Sequence, residues 1–140
     1  MNRSEVLALN ELTQHQLGRG HAIRFIARGR SMWPSILDGD RLTIAPTHGR
    51  LEPGHIVCVS QNDEFLVHRV VAVDGAGRVC TQGDALPAID GWFDADAVLG
   101  RIIGVRRFGR EITLTQTLFS LTGVRFLAQC RRIAARFRRR

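Results

Sequence analysis

The chain has 140 residues, which suits one domain with a single modest hydrophobic core. All 20 residues of its Lys and Arg total are arginine, and the seven that follow residue 124 account for the whole formal net charge of +7. Residues 1–124 are therefore neutral overall and do not form a polyanion-binding body, and no apolar run reaches the roughly 18 residues that a membrane span needs.

The cysteines and the N-terminus predict a cytoplasmic protein. Cys58, Cys80 and Cys130 are odd in number and widely spaced, and no C-x-x-C pair indicates zinc or redox chemistry. We interpret all three as thiols in a reducing compartment. The N-terminus lacks a charged segment followed by an apolar one, so we expect no secretory signal.

The first predicted element is a helix within residues 1–20, which Gly18 and Gly20 end. Its loose apolar stripe consists of Val6, Leu7, Leu9, Leu12 and Leu17. Short β-type runs follow at 23–27, 42–45, 56–59, 65–73, 78–81 and 98–105. Proline, glycine and aspartate turns separate these runs. We therefore predict a mainly β core over residues 21–115, built as one bent and mostly antiparallel sheet system.

From about residue 118 the apolar residues recur with the period of a helix. The apolar face consists of Phe126, Leu127, Cys130, Ile133, Ala134 and Phe137. Arginines occupy the other face, so we predict a basic amphipathic C-terminal helix within residues 116–140. Its apolar face could dock on the body, or residues 125–140 could make peripheral contact with the inner, anionic face of a membrane. Nucleic acid is a less favoured partner, because the matched apolar face suits an interface better.

Three short sequence motifs, called boxes below, contain candidate catalytic residues. Residues 28–40 read R-G-R-S-M-W-P-S-I-L-D-G-D, residues 66–73 read L-V-H-R-V-V-A-V, and residues 81–85 read T-Q-G-D-A. In this order they resemble the type I signal peptidases and the LexA-type self-cleaving proteases that share their fold. Residues 98–105 are similar to the strand that ends the catalytic core of that family. The resemblance implies the same bent antiparallel architecture that the β-type runs predict.

The resemblance also implies a catalytic site. Ser31 stands at the nucleophile position, where its own backbone N–H would help to bind the oxyanion. Most bacterial members use lysine as the base, and this chain has none. His68 stands in the lysine's place, as in the eukaryotic and archaeal-type signal peptidases, and an imidazole can take a serine proton near neutral pH. Asp84 and Asp90 are the candidate acids that orient the imidazole, and we expect Asp84 to lie nearer to it.

Some positions depart from the family's pattern. Gly29 stands where many signal peptidases add a hydroxyl donor, Ala85 replaces the usual Asn, and His55 replaces the Asp of a P-G-D box. Residues 38–40, D-G-D, are interpreted as a tight turn that closes the nucleophile loop. His48 and His55 have no third ligand at a useful spacing, so no metal or other cofactor is predicted.

The leading interpretation is a serine endopeptidase that cleaves an extended segment of a precursor protein, with small, Ala-like residues near the cut. Because the site would be cytoplasmic, we expect a dedicated cytosolic precursor rather than bulk secretory proteins. The alternative is a catalytically inactive module on the same fold that binds peptide at a sheet edge. A LexA-like regulator is disfavoured, because only about 30 residues precede Ser31 and the lysine is missing.

Overall fold

The computed structural model describes residues 3–114, which form one helix and eight strands in this order. The elements are α1 Arg3–Gly18, β1 Ile23–Ile26, β2 Arg41–Ala45, β3 Ile56–Gln61, β4 Glu64–Val73, β5 Val79–Gln82, β6 Gly91–Phe93, β7 Val98–Arg107 and β8 Arg110–Ile112. A single 3-10 turn at Ala95–Ala97 leads into β7. The predicted helix and each predicted β-type run correspond to an element of this order. No helix among these residues is long and apolar enough to cross a membrane.

The strands form one curled sheet in the order β1-β2-β7-β3-β4-β5-β6, with β8 added beside β7. Every pairing is antiparallel. The long strand β7 joins the two halves, since its first residues pair with β3 and its later ones with β2. Register shifts interrupt three of the ladders, and such bulges bend a sheet. The predicted fold class, a bent antiparallel β protein with an N-terminal helix, is confirmed.

Both faces of the sheet are buried near its centre. One face packs around Leu42, Ile44 and Ile102. The other packs around Val57, Val59, Val70 and Val79. Strand β3 contributes alternate residues to both clusters, which explains why four consecutive residues of β3 are buried. The segments that carry Ser31 and His68 are therefore attached to a rigid scaffold.

Helix α1 contacts the sheet through a face that only partly coincides with the predicted apolar stripe, since the two share Leu17. Asn10, Thr13 and Leu17 are buried, at the spacing of one helix face, whereas Leu7 is 39% and Leu12 is 57% exposed. The Asn10 side chain donates a hydrogen bond to the Asp63 carbonyl at 3.2 Å. The prediction is therefore wrong for Leu7 and Leu12 and right for Leu17, and the Asn10 contact with the β3–β4 turn lies on the buried face.

Strands β6 and β8 were not predicted from the sequence. Each has three residues, too few to show an alternating pattern, and each exists because a longer strand beside it supplies hydrogen-bond partners. The predicted amphipathic helix in residues 116–140 lies outside the described residues.

Candidate active site

Ser31 lies in a closed loop between β1 and β2. The Ala27 amide donates to the Asp40 carbonyl at 2.8 Å, and the Gly39 amide donates back to Ala27 at 2.8 Å. Arg107 of β7 donates two hydrogen bonds to the Asp40 carboxylate, from Nε at 2.9 Å and from Nη2 at 2.7 Å. These hydrogen bonds from the guanidinium hold the pKa of Asp40 below its ordinary value. The loop is thus fastened to the sheet at its base, as expected of a turn built from D-G-D.

The structure brings Ser31, His68 and Asp90 into one hydrogen-bonded line. Ser31 Oγ lies 3.0 Å from His68 Nε2, within the reach expected of a nucleophile and its base. On the other side of the ring, His68 Nδ1 lies 2.6 Å from Asp90 Oδ2. Because a carboxylate only accepts, the neutral imidazole carries its proton on Nδ1, and Nε2 is left to accept the Ser31 hydroxyl proton.

His68 is fixed by burial and Asp90 by a second donor. The imidazole is only 2% exposed, on the sheet face that also carries Val57 and Val70. The Thr81 hydroxyl donates to Asp90 Oδ2 at 2.7 Å. The Asp90 amide donates to the Thr81 carbonyl at 2.8 Å, which folds the segment after β5 back along that strand. Both hydrogen bonds hold the carboxylate in place beside the ring.

Asp84, expected to be the acid nearest to His68, is the partner of Arg69 instead. Arg69 Nε and Nη2 reach the two Asp84 oxygens at 2.8 Å each, and the Ser35 hydroxyl donates to Oδ2 at 2.6 Å. Successive residues of a strand point to opposite faces, so His68 and Arg69 project from opposite sides of β4. The expected pairing of Asp84 with the imidazole is wrong, and Asp90 occupies that position.

Gly83 allows the third box to pack directly against the site. A Cβ at Gly83 would lie 2.6 Å from the Ser31 carbonyl oxygen and 3.0 Å from His68 Nε2. The Ala85 amide donates to the same Ser31 carbonyl at 2.9 Å, which fastens the box to the nucleophile loop. Only glycine fits at this close approach.

Four residues of this assembly were missed as contributors from the sequence: Thr81, Arg69, Ser35 and Gly83. Each is part of a recognised box, yet the boxes alone show neither the Arg69–Asp84 ion pair nor the Thr81–Asp90 hydrogen bond. Only position hints at these roles, since Arg69 directly follows His68 and Thr81 opens T-Q-G-D-A. Nothing in the residue types distinguishes them from ordinary strand and turn residues.

The backbone N–H of Ser31 is a candidate oxyanion donor, because within the described part of the chain it donates to no other group. The Gly29 N–H is already committed, since it donates to Asp38 Oδ1 at 2.8 Å. The φ of +91° at Gly29 also favours glycine there. Gly29 therefore offers neither a hydroxyl nor a free N–H to an oxyanion, whereas the Ser31 N–H is available.

An apolar groove of about 400 Å³ runs beside Ser31. Ile23 and Phe25 of β1 line one wall, and Phe65 and Val67 of β4 line the other. Within the described residues, β1 pairs only with β2, and the part of β4 before Arg69 pairs only with β3. Two free strand edges thus face the groove. At its floor, burial raises the pKa of the Cys58 thiol to about 12, so this cysteine stays protonated.

The described residues contain no group of three or more His, Cys, Asp or Glu side chains that could hold a metal ion. His55, one of the two histidines weighed as ligands, is buried and accepts a hydrogen bond from the Glu52 amide at 3.2 Å. Burial lowers the pKa of His55, which favours the neutral ring that this hydrogen bond requires.

Fold and site together define a class: a curled antiparallel β protein with a serine–histidine–aspartate arrangement of the kind used by serine hydrolases. The chain belongs to the Peptidase S24-like family, whose model matches residues 3–103. This match confirms the resemblance to the LexA and signal peptidase type of serine peptidase and includes Ser31, His68, Asp84 and Asp90. No curated protein matches the chain in sequence.

Proposed function

We propose that this chain is a serine endopeptidase with Ser31 as nucleophile, His68 as general base and Asp90 as the orienting acid. The observation that carries the proposal is the line of contacts from Ser31 Oγ to His68 Nε2 at 3.0 Å and from His68 Nδ1 to Asp90 at 2.6 Å. A lysine base is excluded, because the chain contains no lysine. A histidine needs no large pKa shift to work near neutral pH.

Catalysis then follows a sequence in which each proton has a defined carrier. Ser31 Oγ attacks the carbonyl carbon while its proton passes to His68 Nε2, and the carbonyl π electrons move onto oxygen. The Ser31 N–H donates to that oxyanion, and Asp90 stabilises the imidazolium. When the C–N bond breaks, Nε2 returns the proton to the leaving amine. Water attacks the acyl-serine by the same route, which regenerates the serine.

Asp84 has a positioning role in this proposal. Its ion pair with Arg69 and its hydrogen bond from Ser35 join the third box to the nucleophile loop. Arg69 Nη1 also donates to the Gly54 carbonyl at 2.9 Å, which ties in the loop before β3. Asp84 therefore helps to hold Ser31 at its distance from His68, although it does not contact the imidazole.

The proposed substrate is an extended segment of a cytosolic precursor protein. The two free strand edges beside the groove can each add hydrogen bonds to an extended backbone, as in β-augmentation. The apolar lining suits small apolar side chains next to the cut. A catalytically inactive module would bind peptide through the same edges. The observation that favours this alternative is Gly29, which has no hydroxyl and whose N–H is bonded to Asp38.

The test is covalent labelling with a fluorophosphonate, which reacts with an activated serine and requires no knowledge of the substrate. We expect the label on Ser31 of the wild type, and a large loss of labelling in Ser31→Ala and His68→Ala. Ser60→Ala, in β3, is the matched serine control and should label like the wild type. A wild type that does not label but still retains extended peptides would establish the inactive binding module.

A further inference from the structure

The groove beside Ser31 has positively charged side chains on its β1 side. Among the described residues, Arg24 and Arg28 are the charged residues that line it, and both are exposed on the β1 side. Residues 12–37 contain four arginines and no acidic residue. Within the described chain, neither Arg24 nor Arg28 has a carboxylate at ion-pair distance. The β1 rim of the groove therefore presents two guanidinium groups that form no ion pair with any described carboxylate.

The alternation of β1 determines which substrate side chains would meet these arginines. Ile23 and Phe25 are half-buried against the core, whereas Arg24 and Arg28 lie on the exposed face. The backbone of Ala27 bonds toward the β2 side, so by alternation the backbone groups of Arg24 point to the free edge. Neighbouring strands share their faces. An added peptide would direct alternate side chains into the groove and the others outward, beside the arginines.

We infer that the preferred peptide carries Asp or Glu at the outward-facing positions beside Arg24 and Arg28, in alternation with apolar side chains that enter the groove. This inference names the substrate class of the proposed site, and its cleavage part rests on the proposed function. Cross-strand pairs of opposite charge attract, and a lysine or arginine in the same position would be repelled. A guanidinium also suits a carboxylate because it can donate two parallel hydrogen bonds.

The same charge argues against the chain's own C-terminal segment as the occupant. Residues 125–140 carry seven arginines and no acidic residue. A segment of that composition repels the β1 rim, whereas an acidic segment of another protein is attracted to it. The occupant we infer is therefore an acidic extended segment of a separate protein.

The experiment begins with the full-length Ser31→Ala protein, which binds without cleaving. A degenerate dodecapeptide library is equilibrated with the immobilised protein, and the retained peptides are sequenced. We expect at least a twofold enrichment of Asp and Glu over Asn and Gln, in alternation with apolar residues. Retained sequences then supply matched peptides that differ only by Glu or Gln at one outward position. We expect the Glu form to bind roughly two- to fivefold more tightly per arginine contacted, with the ratio falling as salt rises.

Arginine substitutions in the same Ser31→Ala background test whether Arg24 and Arg28 cause the Glu preference. Arg24→Gln and Arg28→Gln should each remove most of the Glu preference at one position. Arg50→Gln removes the same charge from an exposed residue in the loop between β2 and β3, and should leave the preference intact. A preference that survives in the Arg24→Gln and Arg28→Gln variants, or no enrichment of acidic residues, would overturn the inference.

Cleavage of the same matched peptides by the wild type separates this inference from the proposed function. If the wild type cleaves the Glu and Gln peptides with equal kcat/KM, the acidic preference is wrong and the endopeptidase stands. If the Ser31→Ala protein selects acidic peptides and the wild type cleaves none of them, the endopeptidase is wrong and the peptide class stands. Retention of no peptide at all overturns the inferred peptide class.

Discussion

The Arg69 guanidinium holds both carboxylate oxygens of Asp84 at 2.8 Å. Arg69 directly follows His68 in β4, so one strand supplies the imidazole to one face and the partner of Asp84 to the other. Asp84 of the third box and Asp90, six residues further on, are thereby divided between two tasks. Asp90 contacts the ring, and Asp84 braces the loop that carries the nucleophile.

This division predicts opposite outcomes for two conservative substitutions. Asp90→Asn should lower the rate of Ser31 labelling and of peptide cleavage by about 10³- to 10⁴-fold, because an amide does not stabilise the imidazolium. Its free energy of unfolding should change little. Asp84→Asn should instead lower the free energy of unfolding by on the order of 3 kcal/mol, because Arg69 loses its charge partner.

Labelling kinetics and urea unfolding, measured on both variants, check this pair of predictions. Asp84→Glu provides a further control, since it keeps the charge and should recover part of the stability. The assignment of roles would be reversed by an Asp84→Asn protein that unfolds like the wild type but has lost its activity, together with an active Asp90→Asn protein.

Gly83→Ala should abolish activity through steric conflict alone. The added Cβ would meet the Ser31 carbonyl oxygen at 2.6 Å and His68 Nε2 at 3.0 Å, so the serine and the imidazole must move apart. Gly75→Ala is the matched control, because a Cβ there meets nothing within 4 Å. The prediction is checked by comparing labelling rates of the two variants. Normal labelling of Gly83→Ala would show that the third box does not pack against the nucleophile as described.

The Asp40–Arg107 ion pair should make part of the stability depend on pH. Because Arg107 holds the pKa of Asp40 below its ordinary value of 3.8, the pair stabilises the fold above that value. The contribution is lost as the pH falls through the lowered pKa. At pH 7, Asp40→Asn should lower the free energy of unfolding by about 2 kcal/mol.

The measurement is urea unfolding of the wild type and Asp40→Asn across the acid range. The difference between the two proteins should be full at neutral pH and should shrink below the ordinary carboxyl pKa. Asp96→Asn, at an exposed carboxylate, serves as the control and should show no such convergence. A difference that is constant at every pH would contradict the role of the charge.

For residues 125–140, which lie outside the described residues, we propose contact with anionic membranes. Since the rest of the chain is neutral, attraction would come from the seven arginines, each worth about 1 kcal/mol near an anionic surface. Full-length protein should co-sediment with phosphatidylserine vesicles at low salt and be released as salt rises. A chain truncated after Gly123 should stay in the supernatant. Equal pelleting of the two forms would refute the proposal.

The sequence by itself determined the mainly β core and the chemistry available to it. Alternation along a strand depends only on neighbouring residues, so runs such as 65–73 predicted β4 to within one residue. Residue types also decided which base is possible, since a chain without lysine must use another group. The family resemblance carried by the ordered boxes implied that Ser31 pairs with His68, and the structure places them 3.0 Å apart.

Only the tertiary structure decided which acid meets the imidazole. Asp84 and Asp90 lie in one short segment, and their distance from His68 depends on how that segment folds back on β5 through the Asp90–Thr81 hydrogen bond. Arg69 of β4 binds the Asp84 carboxylate, so Asp84 does not contact the imidazole. The short strands β6 and β8 and the buried polar face of α1 have the same origin, because partners distant in sequence create them. Local pattern contains no information about such partners, and packing determines them.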